Sequence, residues 1–264
     1  MEGIVATAPA VSKSGRTLHV RGTWSAREDR LPSAVYLGTL WVGMLLGFGL
    51  DFNRYLHEKP PAPHVVHFHA VVFSVWMFLL TAQVLLVLRN RVALHRTLGW
   101  VCIGWAGLMA ILGPWAVMAS QASAIHEPVT YTGFLSVNFV DLVGFLSFLA
   151  WGVALRQNPA AHKRMMILSS VFLADPGFSR LYSYFWPDEP HRILPWFLSV
   201  FYGNILLIAL MAAWDWYRNR LMKSFVIGAT IQLAATFVAT LLYFWSPWKS
   251  LTHAWVLAWA NHFG

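Results

Sequence analysis

Apolar residues occur along this chain in seven long runs, separated by short polar or basic segments. The runs cover residues 33–52, 67–88, 97–120, 131–155, 165–186, 194–216 and 222–245. Each is close to the ~20 residues that an α-helix needs to cross the hydrocarbon core of a bilayer. The pattern predicts an all-α, polytopic membrane bundle of seven transmembrane helices.

The two ends of the chain differ from this apolar body. Residues 1–32 are polar and basic, and we expect them to form a cytoplasmic tail before the transmembrane domain of residues 33–246. The remaining residues, 247–264, are too few and too mixed to span a bilayer. Trp255 and Trp259 lie about one helical turn apart there, which favours a segment lying at the membrane interface.

Composition supports a membrane protein. Hydrophobic residues make up 58% of the chain and charged residues only 11%, against about 25% charged in an ordinary soluble domain. The 15 Trp and 8 Tyr residues fit the aromatic belts that form at the two membrane surfaces. Cys102 is the only cysteine, which excludes an internal disulfide and a thiolate metal cluster.

The distribution of the basic residues behind the net charge of +8 indicates how the chain is oriented in the membrane. Alternate polar segments, beginning with the N-terminal tail, hold 14 of the 19 basic residues, while the opposite segments hold four. Cytoplasmic loops of membrane proteins are enriched in Lys and Arg. We therefore expect a multi-pass protein of a bacterial cytoplasmic (inner) membrane, with its N-terminus in the cytoplasm, its C-terminus outside and no nucleic-acid partner.

The fifth apolar run contains polar residues that an ordinary spanning helix lacks. Asp175, Pro176 and Gly177 occur in its middle, and Arg180 follows about one turn later. A proline inside a helix removes a backbone donor, so Pro176 predicts a kink. An ionisable residue at mid-membrane costs at least a few kcal/mol unless it is paired or hydrated, which makes such residues functional candidates.

The fourth run offers a partner for this group. Asp141 lies ~15 Å along its helix, which places it at nearly the depth of Asp175. Two acids with one arginine leave an excess acid, which either is protonated or holds a cation. Asp141, Asp175 and Arg180 are therefore candidates for proton or ion handling. The alternative is a structural Asp–Arg pair or a hydrated polar cluster.

Three histidines begin the second run. His64 and His67 share a helix face, whereas His69 points ~160° away from His67. Imidazole with carboxylate suits copper, iron or zinc, so we consider a metal site that takes His64 and His67 with Asp141, or with Asp51 or His126, and count His69 as a further candidate ligand. The alternative is that these histidines lie in water at the interface. His69 shares a face with Gln83, and an outward-facing cavity is expected to be lined by His67, His69, Asp141, Asp175 and Arg180.

Two further histidines lie at the predicted cytoplasmic surface. His95 precedes the third run and His162 precedes the fifth. Haem b requires two opposed imidazoles from different helices, and these two have matching depth. They are candidate axial ligands, with lipid headgroup contact or loop capping as the alternative. A second, outer haem would use His67 or His69 with His126 or His191.

Several of these motifs resemble those of a group of uncharacterised bacterial integral membrane proteins. The matching stretches are HAVVFSVW, then Gln83, LHRTLGW, and NPAAHKRMM followed by Arg180, and they cover roughly residues 64–185. The resemblance implies functional positions at His69, Gln83, His95, Gly99, His162 and Arg180, but it supplies no activity. Histidines at both ends of a helical core are also similar in architecture to cytochrome b561-type electron carriers.

Three functions remain open from the sequence, and none fixes an enzymatic reaction. The first is a redox protein that binds haem b or a metal ion, with cofactor contacts at His69, Gln83, His95, His162 and Arg180 and with quinone as a partner. The second is a proton-coupled carrier or channel for a small solute, since transporters place broken helices at midplane sites. The third is a non-catalytic accessory subunit that associates with other membrane subunits.

Overall fold

The computed structural model describes residues 30–127, 130–188 and 190–263 of the chain. Regular structure in these ranges is entirely helical, with a short 3₁₀ turn at Thr132–Phe134 and nine α-helices. Residues 1–29 of the predicted tail lie outside the described residues. The helices are α1 (Arg30–Leu56), α2 (His64–Leu88), α3 (Val92–Ser123), α4 (Leu135–Ala154), α5 (Pro159–Val171), α6 (Asp175–Phe185), α7 (Ile193–Tyr217), α8 (Lys223–Phe244) and α9 (Ser246–Phe263).

Six of the described helices are long and apolar enough to cross a membrane. They are α1, α2, α3, α4 with the preceding 3₁₀ turn, α7 and α8. Large apolar side chains on their outer faces are exposed from the bundle, as at Trp100, which is 69% exposed. Exposed apolar surface of this extent suits contact with lipid. The prediction of an all-α, multi-pass membrane protein in a bilayer is confirmed at this level.

The fifth predicted crossing is divided into two shorter helices. Helix α5 starts at Pro159, six residues earlier than expected, and the Asn158 side chain caps it by accepting a hydrogen bond from the backbone N–H of Ala161 (3.2 Å). Helix α6 begins at Asp175, and Pro176 lies in its first turn. A first-turn backbone N–H has no partner within the helix, so proline is tolerated there. The proline therefore starts a new helix instead of kinking a continuous one.

The last helix, α9, occupies the C-terminal segment that the sequence sets apart from the transmembrane domain. Helix α9 has 18 residues, and it packs against α3 and the 3₁₀ turn. The indole N–H of Trp248 donates to the carbonyl oxygen of Gly133 (2.9 Å) and joins α9 to the start of α4.

Direct contacts sort the helix ends into two sides of the bundle. On the Arg30 side, the start of α1 meets the end of α2, where Arg30 donates to the carbonyl oxygen of Leu88 (3.1 Å). On the Lys249 side, the start of α7 meets the end of α8, where Trp196 stacks on Tyr243 at 4.2 Å between ring centroids. Helix α1 has 27 residues, so the two sides are separated by ~40 Å.

Helices α5 and α6 follow α1 from one side to the other. Tyr36 donates to the carbonyl oxygen of Ile167 (3.1 Å) near the start of the path. Further along, Gly43 and Gly47 of α1 allow close contact, because a methyl group on Gly47 would collide with the Gly177 carbonyl oxygen. Small residues four apart are a common means of close helix packing in membranes. This contact holds the first turn of α6 in the bundle interior.

Candidate functional site

Two carboxyl groups from different helices meet inside the bundle. Asp175 opens α6 and is 2% exposed, and Asp141 of α4 is also buried. Their side chains are close enough to act on each other electrostatically. Helices α4 and α5 are antiparallel, and the hydrogen bond from Ser169 Oγ to the carbonyl oxygen of Phe145 (2.9 Å) fixes their register. One turn beyond that bond, α4 presents Asp141 to the start of α6.

Arg180, which we expected to share this site, pairs elsewhere. Its Nε donates to Asp51 Oδ2 of α1 (3.0 Å), and its guanidinium lies over the Phe48 ring, 4.7 Å from the centroid. Its Nη1 also donates to the carbonyl oxygen of Pro176 (2.8 Å). Within residues 30–127, 130–188 and 190–263, the side chains acting on Asp141 and Asp175 include no basic one. Of the three residues expected together, the two acids are therefore neighbours and Arg180 is not with them.

The acid pair is poorly satisfied by hydrogen bonds. Asp141 Oδ1 and both carboxyl oxygens of Asp175 lack a hydrogen-bond partner. The Asn204 amide of α7 faces the Asp175 carboxyl, although no atom of the two side chains meets the geometry of a direct hydrogen bond. Two unpaired carboxylates in an apolar interior are strongly unfavourable. This cost is the physical reason to consider a shared proton or a bound cation at the pair.

Two buried amides near this pair were missed from the sequence. Asn204 of α7 and Gln232 of α8 are both 0% exposed, and neither amide has a hydrogen-bond partner for its nitrogen or its oxygen. The available signal was their isolation, since each is a single amide within a long apolar run. Polar residues in spanning segments mark functional sites, and this rule applies to amides as well as to charges.

The outer histidines are not assembled into the predicted metal site. His64 and His67 lie 6.2 Å apart between ring centroids, and His67 Nδ1 hydrogen-bonds with the Tyr55 hydroxyl (2.6 Å). His69 turns away and stacks on Phe73 at 4.0 Å. Among the described residues, no three His, Cys, Asp or Glu side chains are grouped to hold a metal ion. The set His64, His67, His69 and Asp141 is therefore not brought together.

The expected outward-facing cavity also divides into separate groups. Arg180 and His67 contact α1 through Asp51 and Tyr55, while Asp141 and Asp175 face each other in the interior. His69 has a buried Nδ1 without a partner and packs on an aromatic ring. The residues expected to line one cavity therefore belong to separate groups, one against α1 and one in the bundle interior.

The two histidines at the Arg30 side do converge. The rings of His95 and His162 lie 6.1 Å apart between centroids at an interplanar angle of 85°. His162 Nδ1 donates to the carbonyl oxygen of Gly152 (2.7 Å). The Gln83 amide is satisfied when its nitrogen donates to His95 Nδ1 (2.5 Å) and its oxygen accepts from the Gly99 backbone N–H (2.8 Å). Gln83 thus belongs with His95, and not with His69 as its helix face indicated.

A buried ion pair beside these histidines was also missed. Arg164 of α5 and Asp215 of α7 are 2% and 1% exposed, and two parallel hydrogen bonds of 2.6 Å join them. Such bidentate geometry is the most favourable for an arginine with a carboxylate. In the sequence, Arg164 is one of several basic residues in a polar segment, and Asp215 lies near the end of an apolar run, so nothing in the pattern pairs them. The pair fastens the start of α5 to the end of α7.

Known proteins offer no template for this site. Comparisons with protein families, curated proteins and solved structures find no match to the chain. The described residues therefore define a class only: a multi-pass, all-α membrane protein with a buried pair of acids. Its function is argued from the geometry of that pair.

Proposed function

We propose that this protein is a proton-coupled carrier or channel for a small solute, with Asp141 and Asp175 as its proton site. The observation that supports the proposal is the contact of two buried carboxyls from α4 and α6 without a basic partner among the described residues. Such a pair exchanges protons when water reaches it from either side. Structural acids in a membrane are instead expected to pair with a cation, as Asp215 does with Arg164.

We include in this proposal that α5 and α6 together cross the bilayer once. It gives seven crossings, with the N-terminus in the cytoplasm and the C-terminus outside a bacterial inner membrane. The hydrogen bond from Tyr36 to Ile167 and the ion pair of Asp51 with Arg180 support a parallel path for α1 and the two short helices. Within the described part of the chain, the loops rich in Lys and Arg, which follow α2, α4 and α7, then lie on the Arg30 side, in agreement with the positive-inside rule.

The break between α5 and α6 supplies the mechanical element of the proposal. Asp175 lies at the N-terminal end of α6, where the helix dipole favours negative charge. Deprotonation of the pair increases the repulsion between the carboxyls of α4 and α6, and protonation relieves it. The charge of the pair therefore biases the position of α6 relative to α4, which is the kind of movement that alternating access requires.

Reconstitution into liposomes tests the proposal. The decay of an imposed pH gradient is followed with an entrapped pH-sensitive dye, in the presence of a panel of inorganic cations and small organic solutes. We expect at least one solute to speed the decay with the wild-type protein, and Asp175→Asn and Asp141→Asn to reduce that effect more than tenfold. Asp188→Asn, in an exposed position, is the matched control and retains it.

A direct measurement of proton binding accompanies this assay. Infrared difference spectra are expected to contain a pH-dependent band of a protonated carboxyl that disappears in Asp175→Asn and persists in Asp188→Asn. Circular dichroism and gel filtration verify that each variant is folded. Solute-dependent decay in Asp175→Asn at the wild-type rate would refute the proposal, as would a wild-type protein that never exceeds protein-free liposomes.

A second candidate is a redox protein that binds haem b or a metal ion at His95 and His162. The observation in its favour is the convergence of two imidazoles that each have one ring nitrogen held by the protein. His162 donates through Nδ1 to a backbone carbonyl, the usual arrangement for a ligand that binds through Nε2. His95 accepts at Nδ1 from Gln83, so use of its Nε2 as a ligand requires the Gln83 amide to turn over.

In this second role a quinone or another membrane subunit would exchange electrons with the protein. The absorption spectrum and elemental analysis of the purified protein decide between the candidates. Redox function predicts a Soret band or one equivalent of bound metal, either of which is lost in His162→Ala. A colourless, metal-free protein that supports solute-dependent proton flux would contradict the redox candidate and support the acid pair as the functional site.

A further inference from the structure

Four amide atoms in the bundle interior have no hydrogen-bond partner. They are the side-chain nitrogen and oxygen of Asn204 and of Gln232, whose side chains are 0% exposed. A buried polar atom without a partner is unfavourable, and native proteins contain few of them. Two complete amides left open in one region therefore indicate that something else bonds to them.

The Gln232 side chain lies on the face of α8 that packs against α4 and α5. Gly228, one turn earlier on the same face, packs against Leu168 of α5 and Phe148 of α4. The hydrogen bond from Ser136 Oγ to the carbonyl oxygen of Ala239 (2.8 Å) sets the register of α4 against α8. Because these helices are antiparallel, Gln232 lies within about one turn of the level of Asp141.

Asn204 approaches the same region from α7. Its amide faces the Asp175 carboxyl, and the neighbouring Gly203 lets the Phe178 ring of α6 contact the α7 backbone. Four helices thus contribute polar groups to one level: α4 and α6 supply the acids, and α7 and α8 supply the amides. We call these four residues the polar layer, namely Asp141, Asp175, Asn204 and Gln232.

The chemistry of the polar layer selects a class of ligand. Its ionisable groups are two acids, so it attracts a cation or protons. Carboxylate oxygens accept hydrogen bonds, which favours an ammonium group with N–H donors. Amides add both donors and acceptors, which suits a neutral polar group close to the ammonium. A quaternary ammonium, by contrast, lacks N–H donors and is recognised mainly by aromatic faces.

We infer that the polar layer binds a small primary ammonium compound that carries a hydroxyl or carbonyl group. Asp141 and Asp175 take the ammonium, and Asn204 and Gln232 take the neutral group. This inference rests on the proposed proton site and names its substrate. Because the cation and the protons need the same carboxyls, binding of the ammonium compound releases a proton to water. Exchange of one for the other makes the protein an antiporter for protons and amines.

Proton release on binding provides the test. Ethanolamine is the probe, added to the purified full chain in weakly buffered detergent solution containing a pH indicator. We expect proton release and a rise in Tm with ethanolamine, and neither with tetramethylammonium or 1-propanol. Gln232→Met and Asn204→Leu should weaken ethanolamine binding at least tenfold, while Gln121→Met in α3 behaves as the wild type.

Thermal stability separates recognition from a structural role. Methionine matches glutamine in size and removes both unpartnered atoms, so Gln232→Met should keep or raise the Tm of the ligand-free protein. A structural amide, bonded to ordered water, would give a lower Tm with unchanged ethanolamine binding, and that result would overturn the inference. Equal responses to ethanolamine and tetramethylammonium, or no response to either, would also overturn it.

The infrared carboxyl band separates a failure of the proposed proton site from a failure of the inferred ammonium substrate. If the pH-dependent band is present and sensitive to Asp175→Asn while ethanolamine releases no protons, the substrate inference fails and the proton site stands. If the band is absent from the wild type, the proton site fails and the inference fails with it.

Discussion

At the scale of single residues, two buried pairs in this bundle follow opposite electrostatic rules. Arg164 and Asp215 neutralise each other through two short hydrogen bonds in the interior. Asp141 and Asp175 repel each other unless a proton or a cation joins them. The first pair has a complete set of partners and fits a structural role. The second remains incomplete without a mobile charge, so it is the better candidate for function.

The ion pair leads to a prediction on stability. Removal of one partner leaves an uncompensated buried charge, which typically costs about 3–5 kcal/mol. We therefore expect Arg164→Met to lower the free energy of unfolding by about 3 kcal/mol or more, measured by reversible unfolding in mixed detergent micelles. The double variant Arg164→Met with Asp215→Leu should recover most of the loss, because no charge is left unpaired.

An exposed cation serves as the control for that experiment. Arg156 lies at the surface after α4, and Arg156→Met should change the free energy of unfolding by less than about 1 kcal/mol. If Arg164→Met behaved like Arg156→Met, the buried pair would not hold α5 to α7.

The sequence predicts the depth of a site residue along its helix, but it does not predict which helices lie beside that residue. Depth along a helix follows from residue count, which is why Asp141 and Asp175 could be placed at one level. Lateral neighbours do not follow from residue count, because any of several helices can lie beside α6. Arg180 therefore pairs with Asp51 of α1, an acid that also bonds Arg54 three residues later in its own helix.

At the scale of elements, the division of the fifth crossing depends on glycine as much as on proline. Pro176 defines where α6 starts, but the position of that start is set by contact with α1. A side chain on Gly177 would meet the Met44 backbone and the Gly43 carbonyl oxygen. The sequence shows the breaker and the Gly43–Gly47 spacing separately, and only the packing of the helices shows that they act on each other.

Substitution of Gly177 tests this contact. Gly177→Ala forces α6 away from α1, and overpacking of this kind costs about 1–3 kcal/mol. Because Asp175 lies two residues away, we also expect the pH-dependent carboxyl band to shift. The measurements are reversible unfolding and infrared spectroscopy of the same samples.

Gly49→Ala is the matched control on α1, since a methyl group there would meet nothing within 4 Å. It should leave the infrared band at its wild-type position and should not lower the stability, since alanine favours a helix over glycine by up to about 1 kcal/mol. An effect of Gly49→Ala equal to that of Gly177→Ala would show that the close approach of α1 and α6 is not what positions Asp175.

At the scale of the whole molecule, helix packing and charge distribution independently indicate the same topology. Contacts between helices place the start of α1 and the end of α2 on the Arg30 side, and the start of α7 and the end of α8 on the Lys249 side, without reference to charge. The loops on the Arg30 side are those in which Lys and Arg are concentrated, including the segments around Arg91, Arg156 and Arg218. Agreement between the two supports the proposed orientation, with α9 outside the cytoplasm.

Reporter fusions test this orientation in a bacterial cell. Alkaline phosphatase is active only outside the cytoplasm, and green fluorescent protein of the ordinary type is fluorescent only inside it. We expect a fusion after α9, and one after α1 near Lys59, to show phosphatase activity without fluorescence. A fusion after α4 near Arg156 should show the reverse, because the loop that follows α4 lies on the Arg30 side. A fluorescent fusion after α9 would mean that α5 and α6 do not cross the bilayer together, and the proposed route for protons past Asp175 would then have to be abandoned.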